Sequence, residues 1–153
     1  MIGYAVRTLF CTLNVIFLSL GAILSACASH PIRPETSLYQ RLGGEGTMTA
    51  VVSEAIDSVR ENPRVNQSFD KVNIKRLKQK IVEQICFLTG GGCVYDDDDD
   101  MKTVHAGLNI TEREFYGLVE ALVRALDGHS VGLREKNELL AILAPMKRDV
   151  VTH

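Results

Sequence analysis

The sequence predicts an all-α domain, and three observations carry that reading. Apolar residues recur three and four positions apart through most of the chain, whereas strand-like alternation of useful length is missing. The periodic stretches stop at Gly43-Gly44, Asn62-Pro63 and Gly90-Gly91-Gly92, which are helix-ending signals. Thr111-x-x-Glu114 is a capping box that starts a fresh helix after a long loop. The chain has 153 residues, 46% of them hydrophobic, which is enough for one small domain with a real core. Its formal net charge of -2 gives no electrostatic reason to expect nucleic acid or a basic partner.

The elements follow in order. Leu38 and Leu42 mark a short first helix that Gly43-Gly44 ends. Met48, Val51, Val52, Ala55, Ile56 and Val59 share one face of a second helix, stopped by Asn62-Pro63. Val65 and Phe69 suit a brief connecting turn. Asn73 can cap a third helix with Ile74, Leu77, Ile81, Ile85 and Leu88 inward. A loop then leads into five consecutive aspartates, the last of which, Asp100, can cap a short helix carrying Met101, His105 and Leu108. From the capping box onward, Phe115, Leu118, Val119, Leu122 and Leu126 form a buried stripe as far as Gly128. A last helix from about Arg134 buries Leu139, Ile142, Leu143, Met146 and Val150, with a bend at Pro145.

The N-terminal part reads as an address rather than as fold. Arg7 supplies positive charge, and residues 9–24 are almost unbroken apolar sequence. That run is short for a bilayer span, which needs about 20 residues, and suits a signal-peptide core. Leu24-Ser25-Ala26-Cys27 resembles a bacterial lipobox, in which Cys27 is lipidated and becomes the new N-terminus. The bland reading is an ordinary signal peptide with a cysteine nearby; either way the mature domain is exported. The expected organisation is a lipoprotein signal peptide over 1–26, a proline-bearing tether over 27–36 and a folded domain over 37–153. Cys86 and Cys93, on either side of the glycine triplet, are left in a compartment that permits disulfides. A disulfide is favoured over two free thiols, because no C-x-x-C and no second pair at zinc-site spacing occur.

His105 is the residue that asks for an explanation. His30 lies in the tether, His129 in a glycine-bounded loop and His153 at the end, so no helical His-x-x-x-His pair exists. No nucleophile elbow or phosphate-cradling glycine loop is present. The acidic run lacks the alternating ligands and glycine of an EF-hand and reads as a solvated loop. A lone helical histidine is more often bland than a ligand. One chemistry needs only one: haem iron held by a proximal imidazole inside an apolar cage. Without C-x-x-C-H, such a haem would be non-covalent.

From Leu38 to about Val151 the chain resembles a group 1 truncated haemoglobin, a two-over-two helical globin. The residues that carry the resemblance are "LYQRLGG", Phe69, "GGGCVY", "MKTVHAGLNIT" and "LLAILAP". Its most specific part is the series Tyr95, Met101, His105 and Leu108 before an Ile-Thr helix start. The resemblance implies His105 as proximal haem ligand and Phe69 as the phenylalanine that stacks on the porphyrin. Tyr95 and Met101 would flank the proximal loop, with Tyr95 bracing structure. On the distal side Ile56 falls where the family usually has a tyrosine, and Leu77 and Ile81 fall where relatives often carry polar residues. Lys80 stands where relatives place a cation that pairs with a haem propionate or, in some, binds the iron. The aspartate run departs from the family's glycine-containing loop and is one residue longer.

The function so implied is a haem b protein that reversibly binds dioxygen, nitric oxide and carbon monoxide, not an enzyme, with nitric oxide dioxygenase as a side activity. Nitric oxide scavenging or redox sensing at the cell envelope would follow, with a lipid anchor facing the periplasm and an unidentified reductase. The missing distal tyrosine argues against tight dioxygen binding. The alternative is a haem-free helical envelope lipoprotein serving as an interaction module.

Overall fold

The computed structural model describes residues 36–95 and 100–152. Cys27 and Asp96 to Asp99 lie outside them, and so do the expected signal peptide and all of the expected tether except Thr36. Helix α1 spans Leu38–Arg41, and the Ser37 hydroxyl accepts from the Gln40 amide at its start. Gly43 takes a left-handed φ of 99°, which turns the chain sharply. Gly44 opens the next helix instead of closing the first, a small correction to the sequence reading.

Helix α2, Gly44–Glu61, buries all six residues expected on its inner face. Met48 and Val51 are 0% exposed and Ile56 is 1% exposed. Each such side chain contributes roughly 1.5–3 kcal/mol of burial, so this helix anchors the domain. It packs against both α3 and α5. A 3-10 turn, Gln67–Phe69, follows, and then α3, Ile74–Leu88, whose Asn73 cap accepts from the Arg76 amide. On α3 only Ile85 and Cys86 are fully buried. Ile74, Leu77 and Ile81 are half-buried against the core cluster, so the predicted inner face is only partly covered. Lys78 links the two helices, its ammonium 2.7 Å from Asp57 and 2.9 Å from the Ser53 hydroxyl on α2.

Helix α4 is a five-residue piece, Met101–His105. Leu108 lies outside it and is exposed, contrary to expectation, because Ala106 is extended and Gly107 adopts φ 76°. Helix α5, Glu112–Gly128, begins with the expected capping box. Its fully buried residues are Glu114, Ala121, Ala125 and Leu126, whereas Phe115, Leu118, Val119 and Leu122 are half-buried. Helix α5 packs on α2, and Ala121, Ala125 and Leu126 are its fully buried apolar residues. The final segment divides into α6, Leu133–Leu143, a 3-10 turn containing Pro145, and α7, Lys147–Val150. Of the residues expected to be buried there, only Leu139 is; Ile142, Leu143, Met146 and Val150 stay half-buried.

Helix α6 packs on α1, where Arg41 pairs with Glu135 at 3.4 Å and with Glu138. Helix α7 packs on α4. Among the described residues, no helix is long and apolar enough to cross a membrane.

Candidate functional site

His105 closes α4, and that short helix is held by its ends. The Asp100 carboxylate accepts from the Thr103 amide at 2.8 Å, and this bond holds its carboxyl below the usual carboxylate range. At the other end the His105 Nδ1 lies 2.7 Å from the Met101 carbonyl oxygen. A carbonyl only accepts, so Nδ1 carries the proton and donates it. In the neutral ring Nε2 then carries the lone pair, the form an imidazole needs to bind a metal. After His105 the chain turns through Gly107 and Asn109, both at positive φ. It is tied down by Thr152, whose amide donates to the Ile110 carbonyl at 3.0 Å.

The apolar residues expected around this imidazole belong to one cluster. Ile56 is fully buried in it, and Phe69, Leu77 and Ile81 pack on it while keeping part of their surface open. Leu118, Leu122 and Leu143 share that half-covered state. Ile56, Leu77 and Ile81 offer no hydrogen-bond donor. Gln84 places its amide nitrogen 4.0 Å from the Met146 sulfur. Lys80 and Tyr95 are brought together: the ammonium lies 3.5 Å from Glu83 and 5.6 Å from the centre of the Tyr95 ring. Tyr95 also stands 6.3 Å from the Phe87 ring, which fits a bracing role. Met101 is half-buried and serves His105 through its carbonyl.

Cys86 and Cys93 are joined in a disulfide with Cα atoms 5.7 Å apart. It ties the end of α3 to the loop carrying Tyr95. Gly91 sits inside this bend; a Cβ there would come within 2.5 Å of both the Cys86 sulfur and the Tyr39 ring.

An open depression bounded by Glu112, Ala144, Pro145, Lys147, Arg148 and Val151 lies on the surface. Its lysine is occupied by Glu112 at 2.6 Å and the Tyr116 hydroxyl at 3.0 Å, and its lining includes no imidazole. Among the described residues, no group of three or more His, Cys, Asp or Glu side chains could hold a bare metal ion. His105 offers one imidazole and the core cluster offers half-open apolar side chains, a combination that fits a flat, apolar, iron-bearing group with one protein ligand.

Sequence reasoning missed the tertiary role of Glu114. The capping box was legible, but the carboxylate also accepts from the amide and hydroxyl of Ser68, 46 residues away. No local pattern announces that contact.

An all-helical domain with one such imidazole and a partly open apolar cluster has the character of a globin. The chain belongs to the bacterial-like globin family, whose model matches residues 37–152. It is 31% identical over 116 residues to the group 1 truncated hemoglobin GlbN of Mycolicibacterium paratuberculosis, covering 76% of this chain and 85% of that one. It is 25% identical over 119 residues to the group 1 truncated hemoglobin of Tetrahymena pyriformis, covering 78% and 97%. The crystal structure of the Tetrahymena pyriformis truncated hemoglobin in its Fe(III) form superposes with a TM-score of 0.70 at 24% identity, covering 76% of this chain and 98% of that one. The 2/2 hemoglobin of Synechococcus, solved in the cyanomet state with covalently attached heme, superposes at 0.69 and 23% identity, covering 77% and 100%. The fold is the two-over-two truncated globin fold.

Proposed function

We propose that this globin binds haem b non-covalently through His105 and takes up small diatomic gases: dioxygen, nitric oxide or carbon monoxide. The observation that carries the reading is the Nδ1 donation to the Met101 carbonyl, which fixes the tautomer and leaves Nε2 as the donor atom. Haem held there would supply an iron atom able to coordinate a diatomic gas. Phe69, Leu77 and Ile81 would hold the ring system by apolar contact and keep water out. Lys80 would pair with a propionate, at the edge where Glu83 and Tyr95 already steady its ammonium.

Ile56, Leu77 and Ile81 shape what the site prefers. A hydrogen bond to a charged partner is worth roughly 1.5–3 kcal/mol, about 10- to 150-fold in affinity. None of these three can supply it, so polar gas complexes gain least and ligands that need no donor are favoured. Nitric oxide scavenging or redox sensing at the cell envelope suits that preference better than bulk dioxygen transport. Nitric oxide dioxygenation belongs to this reading as a side activity served by an external reductase. Lipidation at Cys27 would hold the domain at the periplasmic face of a membrane, where stable anchoring takes more than one acyl chain. Membrane fractionation and mature mass should both change in Cys27→Ser.

An absorption spectrum tests the central claim. The purified chain should show a Soret band that shifts when carbon monoxide is added to the reduced protein. His105→Ala should lose the five-coordinate ferrous spectrum, and added imidazole should restore it in part. A colourless protein that takes up no added haem would end the proposal.

A further inference from the structure

Glu114 is 7% exposed, the one buried charged side chain among the described residues. A capping box does not require burial; it needs one side-chain oxygen to accept from the cap residue. Here the two oxygens are divided between two segments. Oε2 accepts from the Thr111 amide at 3.0 Å and its hydroxyl at 2.8 Å. Oε1 accepts from the Ser68 amide at 3.0 Å and its hydroxyl at 2.6 Å. Four donors offset the cost of burying the charge.

What the two segments carry gives the arrangement its meaning. Ser68 immediately precedes Phe69 in the 3-10 turn. Thr111 ends the stretch that follows His105, a stretch with three residues between 106 and 110 that are exposed on both sides of Gly107. One helical turn beyond Glu114, Gly117 lets Val65 approach so closely that a Cβ would lie 2.8 Å from a Val65 methyl. The same edge of α5 therefore seats the connection that delivers Phe69 twice, once by packing and once by hydrogen bonds.

We propose that Glu114 is a positioning residue for the haem site, fixing the Phe69 turn to the segment that carries His105. Its carboxylate sets the separation of the ring and the imidazole that would contact the bound group. This rests on the haem-binding reading above.

The test uses the full chain loaded with haem and compares four variants. Haem loss is followed by transfer to excess apomyoglobin, and the setting of the haem by the proton NMR shifts of its methyl groups in the ferric state. Glu114→Ala and Ser68→Ala should each speed haem loss by roughly 10-fold and move the methyl resonances. Ser68→Thr, which keeps the hydroxyl, should restore both. Thr111→Ala removes a hydroxyl donor at the other end of the bridge and the cap with it, so it should move the methyl resonances too and also lower thermal stability. Ser68→Ala keeps the capping box intact, so it decides the matter even where Glu114→Ala does not fold. Unmoved methyl shifts and unchanged haem loss in Ser68→Ala would overturn the proposal. A wild-type chain without a Soret band removes the haem reading and this inference with it. A wild-type Soret band with silent variants removes this inference alone.

Discussion

Helices α2 and α4, which carry the proposed distal residue Ile56 and the proposed proximal His105, are held in opposite ways. Helix α2 has 18 residues and buries six apolar side chains. Helix α4 has five residues and none of them is buried. The first is fixed by packing, which is non-directional and spread over many contacts. The second is fixed by a few directed bonds: the Asp100 cap, the His105 bond to the Met101 carbonyl, and the Thr152 bond to Ile110. The proposed iron ligand therefore sits on the part of the molecule that tolerates least loss of any single bond, while Ile56, proposed for the distal side, belongs to the part that resists global unfolding.

The contrast should break most visibly in α2. Met48→Ala removes a side chain that is 0% exposed and should cost about 2–5 kcal/mol in denaturant unfolding, with the haem spectrum of the surviving folded fraction unchanged. A spectrum altered in proportion to stability would mean that the two sides are not separable. Next in size, replacing Cys86 and Cys93 with serine opens a short covalent loop between α3 and the approach to α4. The chain-entropy argument gives about 2–3 kcal/mol, seen as a lower midpoint of urea unfolding in the oxidised protein only.

Gly117→Ala sharpens the comparison from the third side, since it forces a methyl against Val65. Overpacking of this kind costs about 1–3 kcal/mol, and calorimetry should register it without loss of helix content. At the proposed gas site, Leu77→Gln introduces a donor at a half-buried position and should slow dioxygen release about 10-fold by stopped flow. Ile56→Tyr attempts the same from a fully buried position, and its overpacking would mask the benefit.

The smallest effect is one of pH. Burial pushes the Glu114 carboxyl up, but the hydrogen bonds from Ser68 and Thr111 outweigh it and hold it below the usual range. A depressed carboxyl contributes stability above its unfolded value of about 4.3 and loses it as pH falls through the folded value. The stability difference between wild type and Glu114→Gln should therefore be present near neutrality and shrink in acid. A difference that persists at low pH would show that the charge is not what matters.

Packing was the legible half of this molecule. The α2 face could be read from the spacing of Met48, Val51, Val52, Ala55, Ile56 and Val59 because burial imposes a period. The Asn73 and Thr111 caps were legible for a related reason, since a cap is a local contract over three residues. The stripe on α5 was read too generously: apolar periodicity cannot tell a residue against a neighbouring helix from one that borders a ligand, and Leu118 and Leu122 are half-buried. The Glu114 bond to Ser68 was beyond sequence reasoning, because a contact across 46 residues leaves no periodic trace. His105 stood out by isolation, and its role came from resemblance; the bond to Met101 then supplied a physical reason for it.

Thr152 donating to Ile110 has a consequence in time as well as in space. Synthesis runs from the N-terminus, so the contacts among α2, α3 and α5 can form while the last residues are still to be made. The segment after His105 gains its final tie, and α4 its neighbour α7, only once residues 147–152 have emerged. The site proposed for haem therefore gains its last ties only when this C-terminal stretch is in place.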